Sequence, residues 1–127
     1  LNIGRIIQKG TVKELSAAEV AAYEAPFPDE SYKAAARIFP MLVPSELLTN
    51  HRVWKTVLER WEKPFLTAFS DTDPITRGME KIFHKRVPGT RNQAHFTTEQ
   101  AGHFLQEDQG ELLAAKMHEF IQSTTSA

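Results

Sequence analysis

The sequence predicts an α/β fold: parallel strands with flanking helices in its second part, behind a helical first part. Two observations carry this. The chain changes character near Lys63, from helical and irregular stretches with prolines at 26, 28, 40 and 44 to short apolar runs alternating with helical patterns. The later part then reads strand, helix, strand, helix, an order that argues for parallel strands under packed helices.

In the first part, Ser16-Ala-Ala-Glu19 has the spacing of a capping box. The serine hydroxyl accepts from the third helical N–H, and the glutamate reaches back. A short helix to about Tyr23 follows, ended by Pro26-Phe27-Pro28. Asp29 caps a second helix through Ala34-Ala35-Ala36 to about Ile38, with Pro40 as its stop. A third helix starts at Pro44 or Asn50 and reaches Trp61. Its apolar positions Val53, Trp54, Val57, Leu58 and Trp61 recur at helical spacing and read as core.

In the second part, Pro64-Phe-Leu-Thr-Ala-Phe69 reads as a strand buried on both faces. Thr76 to Lys85 reads as a helix with Met79, Ile82 and Phe83 inward, and Pro88-Gly89 breaks the chain. His95 to Thr98 is a second strand and Gly102-His103-Phe104 a loop. Gln109 to Gln122 is a terminal helix, with Leu112, Leu113, Met117, Phe120 and Ile121 on its apolar side. The polar tail from Ser123 to Ala127 is expected to fray. Two parallel strands alone leave open edges and two apolar faces, so an incomplete chain or a pairing partner is expected.

Composition narrows the function classes. Fifteen basic and sixteen acidic residues give a net charge of −1 without a basic stripe, which argues against nucleic acid. No apolar run approaches the roughly 20 residues of a membrane helix. Leu1 to Lys13 carries Arg5, Gln8 and Lys9 and lacks a small-residue cleavage site, so it does not read as a signal peptide. A cytoplasmic location is the expectation. Without cysteine there are no disulfides, thiolate metal sites or thiol catalysis. His51, His84, His95 and His118 show no metal-ligand spacing, so no zinc site is expected. The first residue is Leu rather than Met, which suggests a cleaved, trimmed or truncated product.

Two places suggest chemistry. Ser70-Asp71-Thr72-Asp73-Pro74 follows the first strand, where open α/β sheets place their sites. The same residues are good turn and cap formers, so the pattern alone reads Asp71 and Asp73 first as turn or cap residues, and it also allows one aspartate to cap while the other functions. His103 follows the second strand, thirty residues after Asp73. Ends of neighbouring parallel strands are adjacent in space. An aspartate there accepts from one imidazole nitrogen and leaves the other free as a base.

Here a family resemblance becomes specific. Lys63-Pro-Phe-Leu-Thr-Ala-Phe-Ser-Asp-Thr-Asp-Pro-Ile75 and Ala101-Gly-His-Phe-Leu-Gln-Glu-Asp108 resemble two C-terminal blocks of α/β-hydrolases. Ala25-Pro-Phe-Pro-Asp-Glu-Ser-Tyr-Lys-Ala-Ala-Ala-Arg-Ile-Phe-Pro40 resembles the end of the helical cap in the haloalkane dehalogenases. The resemblance implies the C-terminal portion of an α/β-hydrolase fold, with residues 1–45 as the end of the cap and 46–127 as part of the core. A full fold of this kind needs roughly twice as much chain.

It also implies a two-step mechanism: an aspartate displaces halide to form an ester, and a histidine activates water to hydrolyse it. By motif, His103 resembles that base and Asp73 its orienting acid. Phe39, Pro40, Val43, Pro74, Ile75 and Phe104 are the implied substrate contacts. The implied partners are a small halogenated alkane, a halide ion, and either a missing N-terminal half or a second copy of the chain; no cofactor or metal is implied.

The nucleophile motif Gly-x-Asp-x-Gly occurs nowhere in the 127 residues. The halide donors of the family have no match either, since Trp54 and Trp61 lie on the apolar helix stripe. The isolated chain is therefore expected to be inactive. Two alternatives stand beside this reading: a catalytically silent fragment that self-associates, and part of an epoxide hydrolase-like enzyme. Tyr23 and Tyr32 are the two tyrosines, and Tyr32 reads as cap packing.

Overall fold

A computed structural model describes residues 1–125. The chain opens with α1 (Ile3–Lys9), for which the sequence pattern predicts no element, and α2 (Ala17–Glu24), which packs on it. The capping box is formed: the Glu19 N–H donates to the Ser16 hydroxyl at 3.2 Å and the Ser16 N–H to the Glu19 carboxylate at 2.7 Å. Buried Lys33 ties α2 to the start of the chain. Its ammonium donates to Glu24 at 2.8 Å and to the Leu1 carbonyl at 2.6 Å.

Asp29 accepts from the Ser31 N–H at 2.8 Å and opens a 3-10 turn, Glu30–Lys33, followed by α3 (Ala34–Ser45). Pro40 does not stop this helix; it and Pro44 lie inside. Each proline removes the bond to the carbonyl four residues earlier. On an exposed helix those carbonyls turn to water, so the interruption is tolerated. The third expected helix divides at Val57 into α4 (Leu47–Thr56) and a 3-10 turn, Leu58–Arg60. Val53, Val57 and Trp61 are exposed rather than core, as is Tyr32.

The strands are short. β1 (Ala68–Ser70) pairs in parallel with β2 (Phe96–Thr98), with Ala68 opposite Phe96 and Ser70 opposite Thr98. Between them lies α5 (Glu80–Arg86), which starts four residues later than the pattern suggests because Gly78, at φ 85°, turns the chain first. Phe83 is its inward anchor, 5.0 Å from the Trp54 ring, 5.8 Å from Phe65 and 6.1 Å from Phe69. Met79 and Ile82 are exposed, a correction to the inward face expected for them. α6 (Leu105–Thr125) lies against both strands and has a non-helical residue at Gln109, where the terminal helix was expected to begin. The expected frayed tail is helical through Thr125, and its last two positions lie outside the described residues.

Few apolar side chains are buried; Leu15, Val87 and Ala101 are. Exposed apolar side chains instead line α3, α4 and α6, including Phe39, Met41, Leu48, Leu112, Met117 and Ile121. No helix among the described residues is long and apolar enough to cross a membrane.

One junction is tight. The Gly89 N–H donates to the Trp61 carbonyl at 2.7 Å, and the Gly89 carbonyl accepts from the Phe65 N–H at 2.9 Å. A Cβ at Gly89 would sit 1.9 Å from the Lys63 carbonyl oxygen. A Cβ at Gly110, in α6, would meet nothing within 4 Å. In urea titrations, Gly89→Ala should therefore destabilise the chain by about 1–3 kcal/mol. Gly110→Ala should stabilise it by about 0.5–1 kcal/mol, since alanine loses less backbone entropy in a helix.

Candidate active site

The site lies just past the C-terminal ends of β1 and β2. One further ladder bond, from the Asp71 N–H to the Thr98 carbonyl at 3.1 Å, extends the pairing beyond Ser70. Side chains then close the gap between the two loops. The Ser70 hydroxyl donates to the Gly102 carbonyl and the Thr72 hydroxyl to the Ala101 carbonyl, each at 2.6 Å. The Asp71 carboxylate accepts the Gln100 N–H at 3.0 Å and the Ala101 N–H at 3.2 Å. Gln100 has φ 53°, a left-handed conformation that side chains rarely adopt, and the Asp71 bond holds it there. The N–H groups of Ala101 and Gln100 draw the Asp71 pKa below the ordinary aspartate value.

Asp73 is 3% exposed. Its carboxylate accepts the Ile75 N–H at 2.8 Å and the Thr76 hydroxyl. It also lies 3.1 and 3.2 Å from Nδ1 of His103. Burial pushes this carboxyl up, but the bonds from Thr76, Ile75 and His103 outweigh it, and the pKa is lowered. A carboxylate only accepts, so Nδ1 carries the proton that faces Asp73, and in the neutral imidazole Nε2 then keeps its lone pair. The imidazole is 37% exposed and its edge meets the Phe104 ring, 5.2 Å between centroids. The arrangement is a buried anion that fixes one tautomer of a half-exposed base.

The sequence pattern points to Asp73 and His103 but not to Ser70, Thr72 and Thr76. The Asp-Pro-Ile-Thr spacing is the available signal for Thr76, since an aspartate readily bonds N–H and hydroxyl groups two and three residues on. Both aspartates make turn bonds: Asp71 accepts from the backbone of Gln100 and Ala101, and Asp73 accepts from Ile75 and Thr76 and also touches the histidine. Of the implied substrate contacts, Pro74 and Ile75 follow Asp73 directly, and Ile75 is 68% exposed. Phe104 is half-buried beside His103. Phe39, Pro40 and Val43 stand exposed on α3, Phe39 at 71% and Val43 at 62%. A groove of about 990 Å³ runs between α4 and α5, lined by Leu47, Leu48, Trp54, Ile82 and Phe83, and contains none of these six residues.

A second histidine cluster has no counterpart in the sequence pattern. His84 stacks on His95, 4.1 Å between centroids, and the Thr67 hydroxyl lies 2.8 Å from one and 3.0 Å from the other. The Thr67 N–H donates to Nδ1 of His95, whose Nε2–H donates to the Thr90 carbonyl at 2.7 Å. Among the described residues, no group of three or more histidine, aspartate or glutamate side chains is placed to hold a metal ion.

A buried aspartate on a histidine, past the ends of adjacent parallel strands, gives a partial α/β fold with an acid–imidazole pair. Its relatives carry a more particular name. The chain is 52% identical over 124 residues to the haloalkane dehalogenase of Psychrobacter cryohalolentis, a match covering 94% of this chain and 41% of that protein. It is 41% identical over 128 residues to the haloalkane dehalogenase of Mycolicibacterium paratuberculosis, covering 97% and 42%. The Mycobacterium marinum enzyme of that name is 42% identical over 122 residues, covering 92% and 40%. No family model matches the chain. Over nearly its whole length the chain is thus homologous to haloalkane dehalogenases, which are α/β-hydrolases, and it spans about two fifths of the length of these relatives.

The lowered carboxyl pKa values of Asp71 and Asp73 have a directional consequence. A group whose folded pKa lies below its unfolded value stabilises the fold above the unfolded value, about 3.9 for aspartate. That contribution is lost as pH falls through the folded value. Their joint contribution to the urea midpoint should hold from pH 7 to about pH 5 and drop below about pH 4. In Asp71→Asn the midpoint should start lower and fall less.

Proposed function

We propose that the chain corresponds to the C-terminal portion of a hydrolase acting on the carbon–halogen bond of haloalkanes. Residues 1–45 are the end of the cap and 46–127 part of the α/β core. The observation that carries this reading is the Asp73–His103 pair, with Nδ1 engaged and Nε2 free of any hydrogen bond among the described residues.

The nucleophile is a carboxylate supplied by a further segment. One of its oxygens bonds the halogen-bearing carbon as the carbon–halogen bond breaks, and halide leaves with the bonding pair. His103 Nε2 then takes a proton from water while the water oxygen adds to the ester carbonyl carbon. Asp73 stabilises the imidazolium so formed. The acyl–oxygen bond breaks, the departing alkoxide takes the proton back from His103 Nε2 and leaves as the alcohol, and the regenerated nucleophile carboxyl gives one proton to solvent. The balance is haloalkane plus water to alcohol, halide and one proton. Pro74, Ile75 and Phe104, with Phe39, Pro40 and Val43 from α3, make the apolar substrate contacts.

The isolated chain should release no halide from a bromoalkane, and steady turnover would overturn this reading. Complemented with the remaining three fifths of the Psychrobacter relative, it should release halide. In that complex Asp73→Asn should slow release by roughly 10²–10⁴-fold, and His103→Ala should trap the ester as a mass increase on the nucleophile-bearing piece.

A second reading is favoured by the exposed apolar residues on α3, α4 and α6. It is a silent fragment that self-associates through an interface above about 1,200 Å². Size-exclusion chromatography should then give an oligomer, and a stable monomer at micromolar concentration argues against it. Action on an epoxide instead is tested by offering the complemented protein an epoxide and measuring diol.

A further inference from the structure

The loop that carries His103 is held from a second side, by the chain's own beginning. Asp108, in the first turn of α6, accepts the Gly102 N–H at 2.8 Å. The same carboxylate accepts the Val12 and Lys13 N–H groups, each at 2.9 Å. Burial pushes this carboxyl up, and the three backbone donors outweigh it, so its pKa lies below the ordinary value. The contact is reciprocal: the Phe104 N–H donates to the Gly10 carbonyl at 3.0 Å. There is no room for a side chain at either glycine. A Cβ at Gly102 would sit 2.4 Å from the Gly10 carbonyl oxygen, and a Cβ at Gly10 would sit 2.5 and 2.6 Å from two carbons of the Phe104 ring. Next to Asp108, Glu107 accepts from the Tyr23 hydroxyl and so joins the same turn region to α2.

We propose that Asp108 is a positioning residue for His103, clamping the histidine loop to the turn at residues 10–13. The inference rests on Asp73 and His103 as acid and base. Asp71 pins the loop at Gln100 and Ala101, before the histidine; Asp108 pins it at Gly102, next to it. Between them the backbone flanking His103 cannot slide along β1, and Nδ1 stays over the Asp73 carboxylate. A charged acceptor with three N–H donors is the strong form of such a bond.

Asp108→Asn tests this with little change of shape. One orientation of the amide loses the Gly102 donor and the other loses the Lys13 donor, because the two bonds use different oxygens. The readout is the protonation of each imidazole nitrogen, followed by nitrogen–proton correlation spectra of the histidine rings in the full 127-residue chain. In the unmodified chain His103 should carry its proton on Nδ1 and His95 on Nε2, an internal control. In Asp108→Asn the His103 Nδ1–H population should fall by roughly tenfold relative to the other tautomer, with His84 and His95 unchanged.

Gly10→Ala reaches the loop from the opposite side by displacing Phe104, and should alter His103 in the same selective way. A His103 signature identical to the unmodified chain in both variants overturns the proposal. So does loss of the His84 and His95 signals along with it in both, which marks a general structural residue. If the unmodified chain itself lacks the Nδ1–H form, the acid–base reading falls too; failure in the variants alone removes only the clamp.

Discussion

The parallel register that sets Ser70 beside Thr98 is the constraint on which the rest of the site depends. With both strands ending at one level, the loops beyond them leave from the same edge. Asp73, three residues past one strand, then meets His103, five residues past the other. A shift of the pairing by one residue would turn every side chain to the other face. Asp71 guards against that shift. Its N–H adds the last ladder bond, and its carboxylate holds the loop opposite.

These ties are polar, and the balance of the chain makes that significant. Burial of apolar surface usually supplies most folding free energy, at about 25 cal/mol per Å². Here Leu15, Val87 and Ala101 are buried while long apolar stretches of α3, α4 and α6 face outward. Hydrogen bonds each contribute only about 1 kcal/mol net. The local geometry around His103 is therefore better determined than the seating of the outer helices. The relatives it matches are more than twice as long, and their additional length is consistent with apolar faces left open in this portion.

Much of the element order could be read from the residues. The Ser16–Glu19 box, the Asp29 cap, the break at Pro88-Gly89 and the parallel order of the strands are written in short-range chemistry. The Asp73–His103 pairing was legible because strand ends impose adjacency. Pro40 misled because proline's penalty depends on whether the freed carbonyl reaches water, which periodicity does not encode. Met79, Ile82, Val53 and Val57 misled because an apolar stripe states what could be buried, whereas burial needs a partner surface. The contacts of Asp71 and Asp108 with backbone N–H groups, and the His84–His95 stack, join residues distant in sequence. No local pattern announces them.

The break at Gln109 gives α6 an unusual mechanical character. Its first turn, with Glu107 and Asp108, moves as part of the histidine loop. The remaining turns are coupled to it through a residue whose own backbone is not helical. A rigid helix of 21 residues would be a long lever arm attached close behind His103. Interrupted after its first turn, its two parts can take different axes, so the course of the outer turns over β1 and β2 does not dictate the angle at which Asp108 meets the histidine loop.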